Sequence, residues 1–318
     1  MYVKLGVKLE LKANLPPQTV PDTKILSLSF DMANVTAAPT GQCFALLGAT
    51  GNTGRLILKK LLQTTSPGIE INIYVRSHLK LEGLFPSLSS DPRITIFEGS
   101  LKDKTLILNC LSGANTIICT VGENENIPGV SILRDCARAI LDALSSLRAS
   151  TPTPTGWVPP RLLLLSSATW NPRFAADRPV LLHWMIRNAF SRPYSDLVKA
   201  QQMLLDVPDL VDLLLVQPNA LVKEPATGCV ISSEFAYIAV SYEDLADGFV
   251  QLARLPEYAN TAAIGVSSAR AENQLLYMPF VIGKVIRGLL FQFVPGYWQA
   301  EYALSSHFAS LGGKTKTG

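Results

Sequence analysis

Short, almost unbroken apolar stretches recur through the first two thirds of the chain, and they predict strands at Cys43–Leu47, Glu70–Val75, Ile94–Phe97, Thr116–Val121, Arg161–Ser166 and Leu213–Gln217. Continuous hydrophobicity of this length marks strands covered on both faces. Between them the apolar positions shift to a helical spacing. Thr53–Leu62 places Leu56, Ile57 and Leu61 on one face with the stem of Lys60, and Asp103–Leu111 follows the third strand. A long stripe over Ile127–Leu147 uses Val130, Leu133, Ala137, Ile140, Leu141 and Leu144. Strands that alternate with helices in this way predict an α/β fold with a doubly wound parallel sheet.

The rhythm loosens after Asn219. Ser241-Tyr-Glu-Asp predicts an N-capped helix running to Arg254, with its acids in the first turn. A short strand is expected at Ala262–Ser267, and helices at Ala271–Phe293 and Trp298–Ser310. Three regions are therefore expected. Residues 42–218 form the nucleotide-binding domain, and residues 219–318 form a smaller substrate-binding lobe interleaved with it. Residues 1–41 carry Pro16, Pro17, Pro21 and Pro39 and no helical stripe, so they are expected to be an extended arm. A strand is expected there at Lys4–Leu11 or Lys24–Phe30, and the arm offers a route to a homodimer. Ser150–Pro160, rich in Pro and Thr, reads as an external loop.

Composition narrows the function classes. Of 318 residues, 48% are hydrophobic and 17% charged, so the core is large and long disorder is excluded. The formal charge of +3 comes without any Lys/Arg run, which argues against a nucleic-acid partner. The most apolar tract, Leu275–Trp298, is interrupted by Lys284 and Arg287, so no membrane span is expected. The amino terminus has no signal-peptide core, and Cys43, Cys110, Cys119, Cys136 and Cys229 lack C-x-x-C spacing. A reduced, cytoplasmic protein is expected. No His/Cys/Asp cluster has metal-ligand spacing and no G-x-S-x-G elbow occurs, so no metal is expected.

The chemistry-bearing motif is Gly48-Ala-Thr50-Gly51-Asn52-Thr53-Gly54, between the first predicted strand and the first predicted helix. There the first glycine permits the tight turn, the second lets backbone amides approach a pyrophosphate, and the third lets helix and strand pack closely. The motif marks the fold as Rossmann-type and the ligand as a dinucleotide. The second strand ends Val75-Arg76-Ser77, without the acid that holds a free ribose 2′-hydroxyl. A guanidinium at that place suits a 2′-phosphate, and Arg55 is available beside Gly54. The cofactor expected is NADP.

These motifs resemble the NmrA-like, isoflavone-reductase-like branch of the atypical short-chain dehydrogenases, over roughly residues 43–267. The resemblance includes Lys199 and, twenty residues on, Asn219, bridged by an amphipathic helix at Gln201–Asp206 and the strand at Leu213–Val216. It implies that Lys199 lies near the nicotinamide ribose and orients the cofactor or takes part in proton transfer, while Asn219 closes the pocket. It further implies an NADP(H)-dependent oxidoreductase acting on a medium-sized apolar metabolite in specialised, natural-product metabolism, with indole alkaloid pathways as one setting. A reductase-derived cyclase, up to a Diels–Alder step, and a non-enzymatic NADP-sensing regulator are the alternatives.

The usual Tyr-x-x-x-Lys pair is missing, since none of the nine tyrosines has a lysine four residues on. Tyr194 and Lys199 stand five apart, about 140° around a helix. Candidates for the proton therefore lie at strand ends. Glu123, after Val121-Gly122, is a base or a plain loop acid; Ser166 and Ser167 are substrate-facing hydroxyls or strand caps. The expected order is Glu123, then Tyr194, then Ser167. Trp170, His183 and Trp184 are expected in a substrate loop.

Overall fold

A computed structural model of the chain describes residues 41–64, 68–151, 156–255, 258, 261–272 and 277–312. The expected amino-terminal arm and its two strands, and the middle of the 150–160 loop, lie outside the described residues.

One eight-stranded sheet has the order β3-β2-β1-β4-β5-β6-β10-β8. Its strands are β1 (Gln42–Leu47), β2 (Ile69–Val75), β3 (Ile94–Glu98), β4 (Thr116–Cys119), β5 (Arg161–Leu165), β6 (Asp212–Val216), β8 (Cys229–Ser232) and β10 (Ala263–Ser268). All neighbours run parallel except β8, which pairs antiparallel with β10 at the edge. A separate parallel pair joins β7 (Ala220–Val222) to β9 (Ala239–Ser241). The chain builds outward from β1 to β3, then returns to lay β4 on the other side of β1. That reversal creates the switch point at which open α/β sheets bind ligands.

The continuous apolar runs are explained by cover on both faces. Phe44 and Leu46 point into a core with helices α1 (Asn52–Gln63) and α7 (Tyr242–Arg254). Ala45 and Leu47, one position out of phase, point into a second core with α3 (Lys104–Leu111), α4 (Ile132–Ser150) and α6 (Ser191–Leu205). The expected caps form: the Asp103 carboxylate accepts from the Leu106 amide, and the Ser241 hydroxyl accepts from the Asp244 amide. Residues 219–318 do not all leave the sheet, because β8 and β10 extend it and α7 packs against α1.

Several expected boundaries move, each for a local reason. The helix predicted from Ile127 begins at Ile132, because Pro128 precedes Gly129 at φ 82° and the turn breaks the stripe before Val130. The predicted fourth strand stops at Cys119, since Thr120 and Val121 already belong to the ligand-facing loop. The short Gln201–Asp206 helix is the end of the 15-residue α6. The expected Ala271–Phe293 helix starts at Met278 (α8, Met278–Phe293), and α9 spans Tyr297–Gly312. Two helices were not expected: α2 (His78–Leu84), capped by the Ser77 hydroxyl, and α5 (Val180–Ala189), which takes His183 and Trp184 out of the supposed loop. No single described helix is long and apolar enough to cross a membrane.

Candidate active site

The glycine turn closes on itself at the switch point. The Gly51 amide donates to the Gly48 carbonyl at 2.9 Å, and the Thr120 amide donates to the Leu47 carbonyl at 3.0 Å, tying the ends of β1 and β4 together. Gly48 adopts φ +96°, and a Cβ there would stand 2.7 Å from Thr120 Oγ1. A Cβ on Gly54 would meet the Gly48 carbonyl oxygen at 2.1 Å, so this glycine permits helix and turn to touch. Gly51 differs: its backbone is extended and exposed, and a Cβ there would have one tight neighbour, Gly48 O at 3.2 Å. It faces outward. No side chain caps α1, and no acid occupies its first turn, so the amides following Gly51 are left for an anion.

A cleft of about 1060 Å³ runs from this turn along the carboxyl ends of β4, β5 and β6. Its floor holds three hydroxyls: Ser167 Oγ donates to Tyr194 Oη at 3.3 Å, and Tyr194 Oη donates to Thr169 Oγ1 at 3.3 Å. Tyr194 lies in the first turn of α6, edge-on to Trp170 with ring centroids 5.8 Å apart and tilted against Phe190 at the same distance. These rings fix its side chain while its hydroxyl stays at the cleft. Behind Thr169, Arg178 Nη1 donates to Thr169 Oγ1 at 3.3 Å and Nη2 to Asn219 Oδ1 at 2.8 Å. Burial pushes the pKa of that guanidinium below its ordinary value, although the Tyr194 hydroxyl opposes the shift.

The segment from the glycine turn to the end of α7, residues 48–256, matches the NAD(P)H-binding family model. The chain belongs to the NAD(P)H-binding family. Its relatives include the oxidoreductase aflX of Aspergillus parasiticus, 34% identical over 265 residues, covering 81% of this chain and 94% of the relative. Oxidoreductase stcQ of Emericella nidulans is 33% identical, covering 83% of this chain and 96% of its own. Among solved structures, a short-chain dehydrogenase/reductase of Veillonella parvula superposes with a TM-score of 0.55 at 20% identity, covering 72% of this chain and 95% of that one. The same enzyme in complex with NADP gives 0.54 at 21% identity. This chain is therefore an NAD(P)H-binding oxidoreductase with the fold of the atypical short-chain dehydrogenases.

Within this NAD(P)H-binding fold the residues singled out from sequence fall into three groups. The first lies at the cleft and its glycine turn. Gly51, Asn52, Thr53, Val121, Gly122, Ser166, Ser167, Tyr194 and Asn219 all line the cleft, while Gly48, Thr50 and Gly54 shape the turn. Arg55 and Arg76 are exposed at the start of α1 and the end of β2, and neither forms an ion pair with a described residue.

The second group lines the cleft but is committed to the scaffold. Ser166 Oγ accepts from the Gln201 and Gln217 side-chain amides, whereas Ser167 Oγ accepts from the Thr169 amide and donates to Tyr194 Oη. Asn219 donates to the Ala236 and Tyr237 carbonyls at 3.0 and 2.9 Å, clamping the next loop. The Glu123 carboxylate accepts from the Asn124 and Glu125 amides at 2.7 and 3.0 Å, as the plain loop acid would. Ser77 lies outside the cleft and is taken up as the cap of α2.

Lys199 stands apart from both. It is exposed on α6 and does not line the cleft, because the helix turns it about 140° from Tyr194. Thr169 and Arg178 were missed; only Thr169 carried a sequence signal, its nearness to the Ser166-Ser167 strand end. Among the described residues no group of three or more His, Cys, Asp or Glu is placed to hold a metal.

Proposed function

We propose that the protein is an NADPH-dependent reductase of a carbonyl group on a medium-sized, largely apolar metabolite of specialised metabolism. The observation that carries this reading is the Ser167–Tyr194–Thr169 hydroxyl chain on the cleft that continues from the glycine turn. The oxidoreductase relatives support the reaction type. Arg76 and Arg55, both uncommitted at the places that a 2′-phosphate would occupy, support NADP over NAD. The α1 amides and the side-chain-free face of Gly51 fit the pyrophosphate.

The cofactor, when bound, supplies the hydride. The chain supplies the rest. Tyr194 Oη gives its proton to the carbonyl oxygen as that oxygen becomes an alcohol. Ser167 and Thr169, each 3.3 Å away, turn their hydroxyls to donate to the phenolate left behind, which water then reprotonates. Tyr194 takes precedence over Glu123 as proton donor here, because the Glu123 carboxylate is held by its own loop. Trp170 and Phe190 keep the tyrosine ring in place, and the apolar flank of the cleft sheds water from the substrate.

The test is to incubate purified protein with NADPH and a panel of apolar ketones and quinones, following absorbance and product masses. Tyr194→Phe is expected to lower turnover about 10²–10⁴-fold with NADPH affinity unchanged. A product formed without NADPH consumption would favour the cyclase alternative instead. Unaltered turnover in Tyr194→Phe would remove the proton-donor assignment.

A further inference from the structure

The charges around the cleft are unevenly committed. Of the acids that line it, Glu125 is paired with Arg287 and Glu234 with Arg173. Asp196 accepts from the Leu133 and Arg134 amides at the start of α4, and Glu123 serves its own loop. Only Asp177, exposed at the rim, remains among the described acids of the cleft. Against these, Arg178, Lys223 and Lys284 line the same cleft without a carboxylate partner among the described residues.

Arg178 is the informative one. Its partners are the neutral oxygens of Thr169 and Asn219, which use two of the five guanidinium N–H donors. Burial lowers its pKa, yet no described acid compensates it. A half-buried guanidinium held rigidly by two neutral acceptors, its other donors free, is an incomplete arrangement. An oxyanion completes it, through a charge-assisted and often bidentate pair.

Cofactor phosphates are poorly placed to be that anion. They belong at the glycine turn after β1, whereas Thr169 and Asn219 follow β5 and β6, two and three strands further along the sheet. At the usual strand spacing this is about 10–15 Å away.

We propose that Arg178 is a specificity residue: the substrate of this cleft carries an oxyanion, a carboxylate or an ionised phenol, on an otherwise apolar skeleton, and Arg178 binds it. Thr169 links that anion site to the Tyr194 hydroxyl, so the anion sets how far the reacting carbonyl reaches toward the proton donor. The inference rests on the reductase reading above and adds the substrate class to it.

The experiment uses the full chain saturated with NADP⁺ and titrated calorimetrically with matched probes: 2-naphthoate against 2-naphthamide, and 4-nitrophenolate against 4-nitroanisole. At least one anion is expected to bind about tenfold or more tightly than its neutral counterpart, and that pair names the group. Arg178→Met is expected to abolish the preference and Arg178→Lys to retain part of it, with the melting temperature and NADPH affinity of both variants unchanged. Equal binding within both pairs overturns the proposal, as does a preference that survives Arg178→Met. A fall in NADPH affinity in Arg178→Met also overturns it, because the guanidinium would then serve the cofactor. NADPH titration of the unmodified protein keeps the two readings distinct. Failure there removes the reductase reading itself, whereas normal NADPH binding without an anion preference removes only the role of Arg178.

Discussion

Gly51 and Gly54 sit three residues apart in one turn, yet they are constrained by different things. Gly54 is needed by the protein, since a Cβ would drive into the Gly48 carbonyl at 2.1 Å. Gly51 is free of such a backbone clash beyond a 3.2 Å contact and adopts an ordinary extended φ of −80°. The side chain of Gly51→Val would project where the pyrophosphate approaches. This variant is expected to keep its circular dichroism and melting behaviour while losing NADPH binding, and normal NADPH affinity by calorimetry would contradict the placement. Arg76 allows a second test at this scale. It is exposed at the end of β2 and free of ion pairs with described residues. NADPH is expected to bind at least about tenfold more tightly than NADH, and Arg76→Ala to erase most of that difference. Identical affinities for both cofactors in the unmodified protein would refute the NADP assignment.

α6 does two jobs through residues two positions apart. Tyr194 faces the cleft, while the buried Asp196 reaches α4 and accepts from the Leu133 and Arg134 amides at 2.8 and 3.2 Å. Ser131, at the N-cap position of α4, does not cap it with its own side chain, so the cap is supplied across the helix interface. Asp196→Ala therefore leaves α4 amides unsatisfied in the interior. It is expected to cost about 1–3 kcal/mol of stability in a urea titration, as a buried unpaired donor does. A change within error would show that water replaces the carboxylate there. A related node is Asn126, buried after β4. Its Nδ2 donates to Gln292 Oε1 at 3.2 Å and its Oδ1 accepts from the Arg192 amide at 2.9 Å, so one side chain ties the cleft loop to α6 and α8.

At the scale of the whole molecule, the helices over the cleft leave a pH signature. Burial, and then the guanidiniums of Arg178 and Arg187, hold the His183 imidazole below its ordinary value of 6.5. The unfolded chain thus takes up this proton at a higher pH than the folded one. Well above pH 6.5 the group is neutral in both states and contributes nothing; as pH falls through 6.5 toward the native value, stability is lost. His183→Gln is expected to match the parent melting temperature at about pH 7.5 and to exceed it, relative to that baseline, at about pH 5.5. An identical pH slope in both proteins would exclude His183 as the source.

The pattern of apolar runs was sufficient for the sheet and its helices, because strands covered on both faces must be hydrophobic at nearly every position. β1, β2, β3, β5 and β6 accordingly fall within a residue or so of expectation. The glycine turn was legible for a related reason: its requirements are local steric ones, written in three residues with a fixed spacing. The stretch directly after Ser167 was not legible. α5 leaves Val180, Leu181 and Trp184 exposed, so its apolar positions do not mark a buried face. Lys199 and Arg178 show the limit most plainly. Sequence spacing placed Lys199 on the right helix but could not show which side of α6 meets the cleft, since that depends on how Leu197, Ala200 and Leu204 pack into the core beneath. Arg178 lay in no motif at all. It reaches Thr169 and Asn219 only because β5 and β6 are neighbours in the sheet and bring two chain segments about fifty residues apart into one floor. The residues themselves determined which elements form and how the glycine turn closes, because sterics and hydrophobic periodicity act over short stretches. Which side chains meet around the cleft was decided by the tertiary structure, because strand order and helix rotation are settled by packing between residues far apart in the chain.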